Sequence, residues 1–97
     1  MKKHVVITGG AQGIGKVVSL FLLGKGYCVT ILDNDKEAID ELKAKNSQSS
    51  LLIVEANVAV EADVKRALVD SVNVFGGIYG LVNNAMISAN KPIHKLT

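Results

Sequence analysis

Four short apolar runs are separated by longer segments with helical spacing. The runs cover positions 4–8, 27–32, 51–55 and 78–83, and each is predicted to form a strand. The first is a continuous, mostly β-branched run rather than an alternation of apolar and polar residues. Such a run is typical of a strand that is covered on both faces, as in a parallel sheet.

Three segments between these strands have helical periodicity. Asp33, Asn34 and Asp35 are N-cap candidates for the second helix, and Asn34 and Glu37 have the spacing of a capping box. The third helix is expected to begin without a capping side chain at Val60 and to end at Gly76. The predicted buried stripes are Ile14, Val17, Val18, Phe21 and Leu22 in the first helix, Ala38, Ile39 and Leu42 in the second, and Val64, Ala67, Leu68, Ser71, Val72 and Phe75 in the third.

This order of elements, β-α-β-α-β-α-β, predicts an α/β fold with a doubly wound parallel sheet. Right-handed crossovers give a strand order of 3-2-1-4 and place helices on both faces. The chain reverses direction between strands one and four, and ligands bind outside the carboxyl ends of strands at such a point. Positions 9–15 follow strand one directly and are therefore expected at the ligand crevice.

The glycines in this stretch have the spacing Gly-x-x-x-Gly-x-Gly at Gly9, Gly13 and Gly15. A diphosphate needs backbone N–H groups that no Cβ obstructs, and it gains from the positive end of a helix dipole. A glycine turn that opens a helix supplies both. The alternative is a glycine-rich turn in which one residue only permits close packing of helix and strand.

Asp33 is predicted to lie where strand two ends, about 20 residues beyond the glycines. A carboxylate there can accept hydrogen bonds from an adenosine ribose, and it repels a 2′-phosphate. The alternative is that Asp33 only helps to start the second helix, although Asn34 or Asp35 could do so without it.

Composition indicates one globular domain over positions 1–97, with 48% hydrophobic residues and 21% charged residues. The net charge of +2, two tyrosines, two phenylalanines and no tryptophan do not indicate nucleic-acid binding. Cys28 is the only cysteine, so neither an internal disulfide nor a metal cluster is expected, and it is predicted to be a buried core residue. Apolar runs too short for a signal peptide or a membrane span make a cytoplasmic protein the default expectation.

Three features in register resemble the short-chain dehydrogenase/reductase family. Positions 8–15, Thr-Gly-Gly-Ala-Gln-Gly-Ile-Gly, resemble its Thr-Gly-x-x-x-Gly-x-Gly motif. Positions 83–86, Asn-Asn-Ala-Met, resemble its Asn-Asn-Ala-Gly motif, and positions 75–78, Phe-Gly-Gly-Ile, are similar to the family as well. The resemblance implies a Rossmann-like fold that binds NAD(P) and an oxidoreductase that transfers hydride between the cofactor and an alcohol or carbonyl.

The resemblance also implies which residues contact the cofactor. Asn57 stands where the family has aspartate, and Met86 replaces a glycine that lets backbone approach the nicotinamide. Asn83 is expected to tie strand four to its neighbours, and for both Asn83 and Asn84 the alternative is a role as turn residues that satisfy local backbone groups. The implied contacts are Gly9, Gln12, Gly13, Ile14 and Gly15 around the pyrophosphate, Asp33 at the adenosine ribose, Asn57 and Val58 beside the adenine, and Asn84 and Ala85 near the nicotinamide-side ribose.

NAD is favoured over NADP. Family members that use the phosphorylated cofactor often have a basic residue where this chain has Gln12 or just after strand two, where it has Asp33. Lys16 is basic, but it follows the last glycine and is expected to point along the first helix.

No catalytic residue is expected. The family uses a tyrosine with a lysine four positions later, whereas Tyr27 and Tyr79 are followed at that spacing by Ile31 and Asn83. The chain is therefore expected to be the N-terminal, NAD-binding part of the family fold, truncated before the catalytic part and unable to catalyse alone. The edge of strand four is expected to be exposed and to pair with another copy. The alternative is a remnant that acts as a self-associating interaction module without catalysis.

Overall fold

The computed structural model describes residues 2–84. It contains a parallel four-stranded sheet with helices on both faces. Ala85 and the remainder of the predicted loop up to position 97 lie outside the described residues. In chain order the elements are β1 (His4–Thr8), α1 (Gly13–Gly24), β2 (Cys28–Asp33), α2 (Lys36–Lys45), β3 (Leu51–Glu55), α3 (Glu61–Phe75) and β4 (Ile78–Asn83). Three strands have the predicted bounds, and β2 begins and ends one residue later than predicted.

The strand order is β3-β2-β1-β4, with every neighbouring pair parallel. This confirms the predicted doubly wound topology. All five residues of β1 are buried, as the continuous β-branched run predicts. The carboxyl ends of β1, β2 and β4 therefore meet at one edge of the sheet, with β1 in the middle.

The two faces of the sheet support separate cores. Ile7 of β1 belongs to one core together with Ile39 of α2, and partly buried residues of α1 pack against it. Val6, which points to the opposite face, shares the other core with Ala67 of α3. Helices α1 and α2 thus cover one face and α3 covers the other, as right-handed crossovers require.

The buried face of α1 differs from the prediction. Its fully buried residues are Gly15 and Ser19, while Ile14, Val17 and Phe21 are 75%, 67% and 61% exposed. Small side chains let the helix approach the sheet closely, and the Ser19 hydroxyl satisfies itself on the Gly15 carbonyl at 2.8 Å. This approach leaves three of the five residues of the predicted apolar stripe exposed. In α3 the buried residues are likewise the small Ala67 and Ser71, and Val72 is 41% exposed.

Helix caps were predicted with mixed success. The capping box of Asn34 and Glu37 was wrong, because Asp35 is the N-cap of α2 and its carboxylate accepts from the Ala38 amide at 3.1 Å. Helix α3 begins at Val60 without a side-chain cap, as predicted, and ends at Gly76 with φ of 85°.

A histidine that the sequence analysis did not single out joins three elements on the α3 side of the sheet. His4 of β1 is 1% exposed and contacts the Thr30 hydroxyl of β2 through Nε2 at 2.8 Å. Its Nδ1 lies 3.1 Å from the carbonyl of Gly76, and its ring packs edge-on against Phe75. The imidazole thereby fixes the end of α3 to the two central strands.

Cys28 is half-buried rather than buried, because it is the first residue of β2 at the amino end of the sheet. Within residues 2–84, no helix has the length and hydropathy needed to cross a membrane. The same residues contain no group of three or more His, Cys, Asp and Glu side chains that could hold a metal ion.

Candidate functional site

A cleft of about 420 Å³ opens at the carboxyl ends of β1, β2 and β4. This is the edge at which the topology places a ligand crevice. The cleft brings together six of the residues that were predicted to contact the cofactor. Its lining consists of Gly9, Gln12, Gly13, Ile14, Asp33, Asn34 and Asn84.

The loop between β1 and α1 uses glycine where the backbone requires it. Gly9 and Gly13 have φ of 70° and 61°, a region that side-chain-bearing residues rarely adopt. A Cβ added to Gly13 would meet no protein atom within 4 Å. The backbone at Gly13 is therefore open to the cleft, as close approach of a phosphate requires.

Gly15 serves packing rather than the cleft surface. A Cβ there would overlap the backbone carbonyl of Gly9 and would lie 2.5 Å from Nδ2 of Asn84. The packing alternative considered for the glycine cluster thus describes this one position, and it explains why α1 can begin so close to the end of β1.

The start of α1 differs electrostatically from the starts of the other helices. Its N-cap, Gln12, makes no side-chain capping bond, and no acidic residue occupies its first turn. Helix α2 has a capping carboxylate and Glu37 in its first turn, and α3 has Glu61 and Asp63. The first amides of a helix have no intrahelical acceptor. Among the described helices, only α1 has neither a side-chain cap nor an acidic residue in the first turn to interact with these donors and the positive dipole end.

Asp33 is the last residue of β2 and is 7% exposed. Its Oδ2 accepts from the Ala11 amide at 3.1 Å, and its Oδ1 accepts from the Asp35 amide at 3.0 Å. Each carboxylate oxygen has a second lone pair, so the group retains the capacity to accept from a ligand hydroxyl in the cleft. Asp33 thus lies at the cleft, as predicted. Its two hydrogen bonds with backbone amides could not be predicted from the sequence.

The two asparagines after β4 have different contacts. Asn83 accepts a hydrogen bond from the Thr8 hydroxyl at 3.0 Å, which ties β4 to β1 as predicted. Asn84 donates from Nδ2 to the carbonyl of Gly9 at 3.1 Å and lines the cleft. Asn84 therefore also holds the glycine loop from the β4 side.

Asn57 and Val58 follow β3 and are not among the residues that line this cleft. The side-chain oxygen of Asn57 accepts from the Ala59 amide at 2.9 Å, and its backbone amide donates to Asp63 at 3.1 Å. These bonds form a local turn that leads into α3. A contact of Asn57 and Val58 with adenine stays a prediction.

Neither described tyrosine lies at the cleft. Tyr27 immediately precedes β2 at the opposite end of the sheet. Tyr79 is near the start of β4, is 63% exposed, and has the Lys3 ammonium 4.3 Å from its ring centroid. The structure thus gives neither phenol a position from which to act on a ligand in the cleft.

The family profile for short chain dehydrogenases matches residues 3–97, and the chain belongs to this family. It is 33% identical over 101 residues to 3-oxoacyl-(acyl-carrier-protein) reductase FabG of Staphylococcus epidermidis, a match that covers 99% of this chain and 41% of that protein. The chain therefore spans about two fifths of the length of the curated relatives it matches.

Solved structures of the family have the same fold over this region. The 3-ketoacyl-(acyl-carrier-protein) reductase of Brucella melitensis, complexed with NADH, superimposes with a TM-score of 0.75 at 29% identity, over 81% of this chain and 32% of that one. An apo SCOR enzyme of Clostridium thermocellum gives 0.84 at 28% identity, over 98% of this chain and 38% of that one.

Gly15→Ala should lower the free energy of unfolding by about 2 kcal/mol, because its Cβ must displace the Gly9 carbonyl. Urea unfolding would measure this. Gly24→Ala is the matched control in the same helix, since a Cβ at Gly24 meets nothing within 4 Å, and it should leave stability unchanged or raise it by less than about 1 kcal/mol. Equal stability of the two variants would contradict the packing role of Gly15.

Proposed function

We propose that the cleft binds the pyrophosphate and adenosine ribose of a nicotinamide dinucleotide, as the cofactor-binding part of a short-chain dehydrogenase/reductase. The observation that supports this most strongly is the meeting of two features in one cleft. The amides at the start of α1 face no carboxylate in its first turn, and the Asp33 carboxylate lies where a ribose would follow the pyrophosphate. Membership of the family favours a cofactor site over a general anion site.

The residues present fit this ligand. The open space above Gly13 gives the phosphates access to backbone, and the amides of Gly13, Ile14 and Gly15 are the donors that the helix itself cannot use. When bound, the nicotinamide ring supplies hydride chemistry between an alcohol and a carbonyl. The described residues bind and orient the cofactor, and none of them is assigned the proton transfer of that reaction.

NAD is the better ligand for this cleft than NADP. Asp33 places a negative charge where a 2′-phosphate would enter. Lys16 is the basic residue nearest in sequence to the glycine loop. It lines an adjoining cleft between α1 and α2, which shares Gln12 and Gly13 with the first cleft and also contains the acidic residues Asp35, Glu37 and Glu41. These carboxylates offset the charge that Lys16 could offer to a phosphate.

A second proposal concerns the free edge of β4. Within residues 2–84, β4 pairs with β1 alone and leaves its other edge open. Tyr79 and Leu81 on this strand are 63% and 62% exposed, and unpaired edges of this kind pair with other strands. We propose that this chain self-associates through the β4 edge. The alternative function that this edge supports is an interaction module that binds no ligand.

A cytoplasmic location for the protein stays a prediction.

Gly13→Ala should weaken NAD binding by about tenfold or more, because its Cβ enters the space that the phosphates need. Titration calorimetry with NAD, and with adenosine diphosphate ribose for comparison, measures this. Gly26→Ala is the control, since Gly26 also has positive φ, 92°, with nothing near its Cβ. Both variants should lose about 1 kcal/mol of stability, but only Gly13→Ala should lose affinity. A folded wild-type chain that binds neither ligand would refute the cofactor site.

NADP should bind the wild-type chain about tenfold more weakly than NAD at low salt, because its 2′-phosphate approaches the carboxylate of Asp33. The gap should narrow between about 0.1 M and 1 M salt, as the screening length falls from about 10 Å to 3 Å. Parallel titrations at the two salt concentrations test this. Equal affinities at low salt would contradict the preference for NAD.

Leu81→Lys should shift the chain toward monomer, because a lysine on an edge strand opposes pairing. Sedimentation velocity over a range of protein concentrations measures the change. Val69→Lys on α3 is the control at a similar exposure of 59%, and it should leave association unchanged. A wild-type chain that stays monomeric at all concentrations would exclude self-association through this edge.

A further inference from the structure

Both oxygens of the Asp33 carboxylate accept a hydrogen bond from the protein's own backbone before any ligand is considered. It is 7% exposed, with one oxygen on the Ala11 amide and the other on the Asp35 amide. A side chain that served only to accept from a ribose would not need both bonds. The carboxylate therefore stabilises the protein's own backbone, in addition to any contact that it makes with a ligand.

The bond to Ala11 reaches across 22 residues to the glycine loop. The Gly9 amide, two residues earlier in the loop, donates to the Leu32 carbonyl at 2.6 Å. Two hydrogen bonds thus hold residues 9–11 at the end of β2. The acceptor of one is the Leu32 carbonyl, and the acceptor of the other is the Asp33 carboxylate. The Asn84 amide holds the Gly9 carbonyl from the β4 side.

Burial makes the Ala11 bond costly to remove. Ala11 is 3% exposed, so its amide cannot turn to water without movement of the loop. The N-terminal turn of α1 begins two residues later, and its amides point wherever the loop directs them. Loss of the Asp33 carboxylate therefore frees the segment that aims the phosphate donors.

We infer that Asp33 is a positioning residue for the phosphate-binding loop, in addition to its proposed contact with the adenosine ribose. This inference rests on the proposed function, because it assigns the loop to the pyrophosphate. It has a consequence for cofactor choice. A substitution that removes the Asp33 carboxylate to admit a 2′-phosphate also lowers the affinity for the pyrophosphate, which NAD and NADP have in common.

The test uses Asp33→Asn, which keeps the size of the side chain and removes its charge. An amide group can accept from only one of the two backbone amides, and its NH₂ then faces the other donor. Asp35→Asn is the matched control, with the same chemical change two residues away. Asparagine is as good an N-cap as aspartate, and Asp35 makes no bond to the loop through its side chain.

Two measurements separate the loop from the ribose. The first is hydrogen exchange of the Ala11 amide in the ligand-free chain, recorded by NMR and referred to the exchange of the core strands. The second is titration with inorganic pyrophosphate, which has no ribose for Asp33 to contact. Asp33→Asn should speed Ala11 exchange by about tenfold. At about 1 M salt, where the repulsion between the Asp33 carboxylate and an anion is screened, it should also weaken pyrophosphate binding by a similar factor, whereas Asp35→Asn should change neither.

Unchanged Ala11 exchange and unchanged pyrophosphate affinity in Asp33→Asn would overturn the inference. If that variant does not fold, Asp33→Ser, which keeps one short acceptor, is measured in the same way and judged by the same outcomes. A wild-type chain that binds neither NAD nor pyrophosphate would refute the proposed function, and Ala11 exchange would then decide whether Asp33 positions the loop at all.

Discussion

The close approach of α1 to the Gly9 carbonyl is the constraint on which the rest of the cleft depends. Gly15 permits it, since any Cβ at that position would overlap the Gly9 peptide group. Asn84 donates to the same carbonyl from the end of β4. One peptide group therefore sets the distances among β1, α1 and β4, and the cleft lies where these three elements meet.

Charge is distributed over the helix starts in a way that singles out α1. In a parallel sheet with helical crossovers all three helices begin at the carboxyl edge of the strands, so three positive dipole ends lie on the same side of the molecule. In α2 and α3, acidic residues of the first turn stabilise the positive dipole end, and Asp35 also caps α2. The start of α1 has neither an acidic residue in its first turn nor a side-chain cap.

The sheet could be predicted from the sequence because its strands are short, continuous apolar runs with glycine or polar residues between them. The face of α1 could not. Periodicity gives weight to large apolar residues such as Phe21, whereas close packing against the sheet selects small ones such as Ser19. The cap of α2 could not be chosen from the sequence, because Asn34 and Asp35 are both good caps and only backbone geometry distinguishes them.

The candidate site divides along similar lines. Gly13 and Asp33 were expected at the crevice from motif spacing and topology, and they line the cleft. The bond between the Asp33 carboxylate and the Ala11 amide joins residues that no local pattern relates, so it required coordinates. The resemblance to the family predicted that Asn57 contacts adenine, and this contact stays a prediction. In the structure the Asn57 side chain accepts a hydrogen bond in the turn that leads into α3.

The bond between Asn84 and Gly9 joins residues that are 75 positions apart. Contacts at such a separation form late, because the entropy of closing a long loop must be overcome first. On the ribosome, the glycine loop emerges early but gains this partner only after β4 has been synthesised and has docked beside β1. The cleft is therefore complete only once β4 has paired with β1 in the correct strand order.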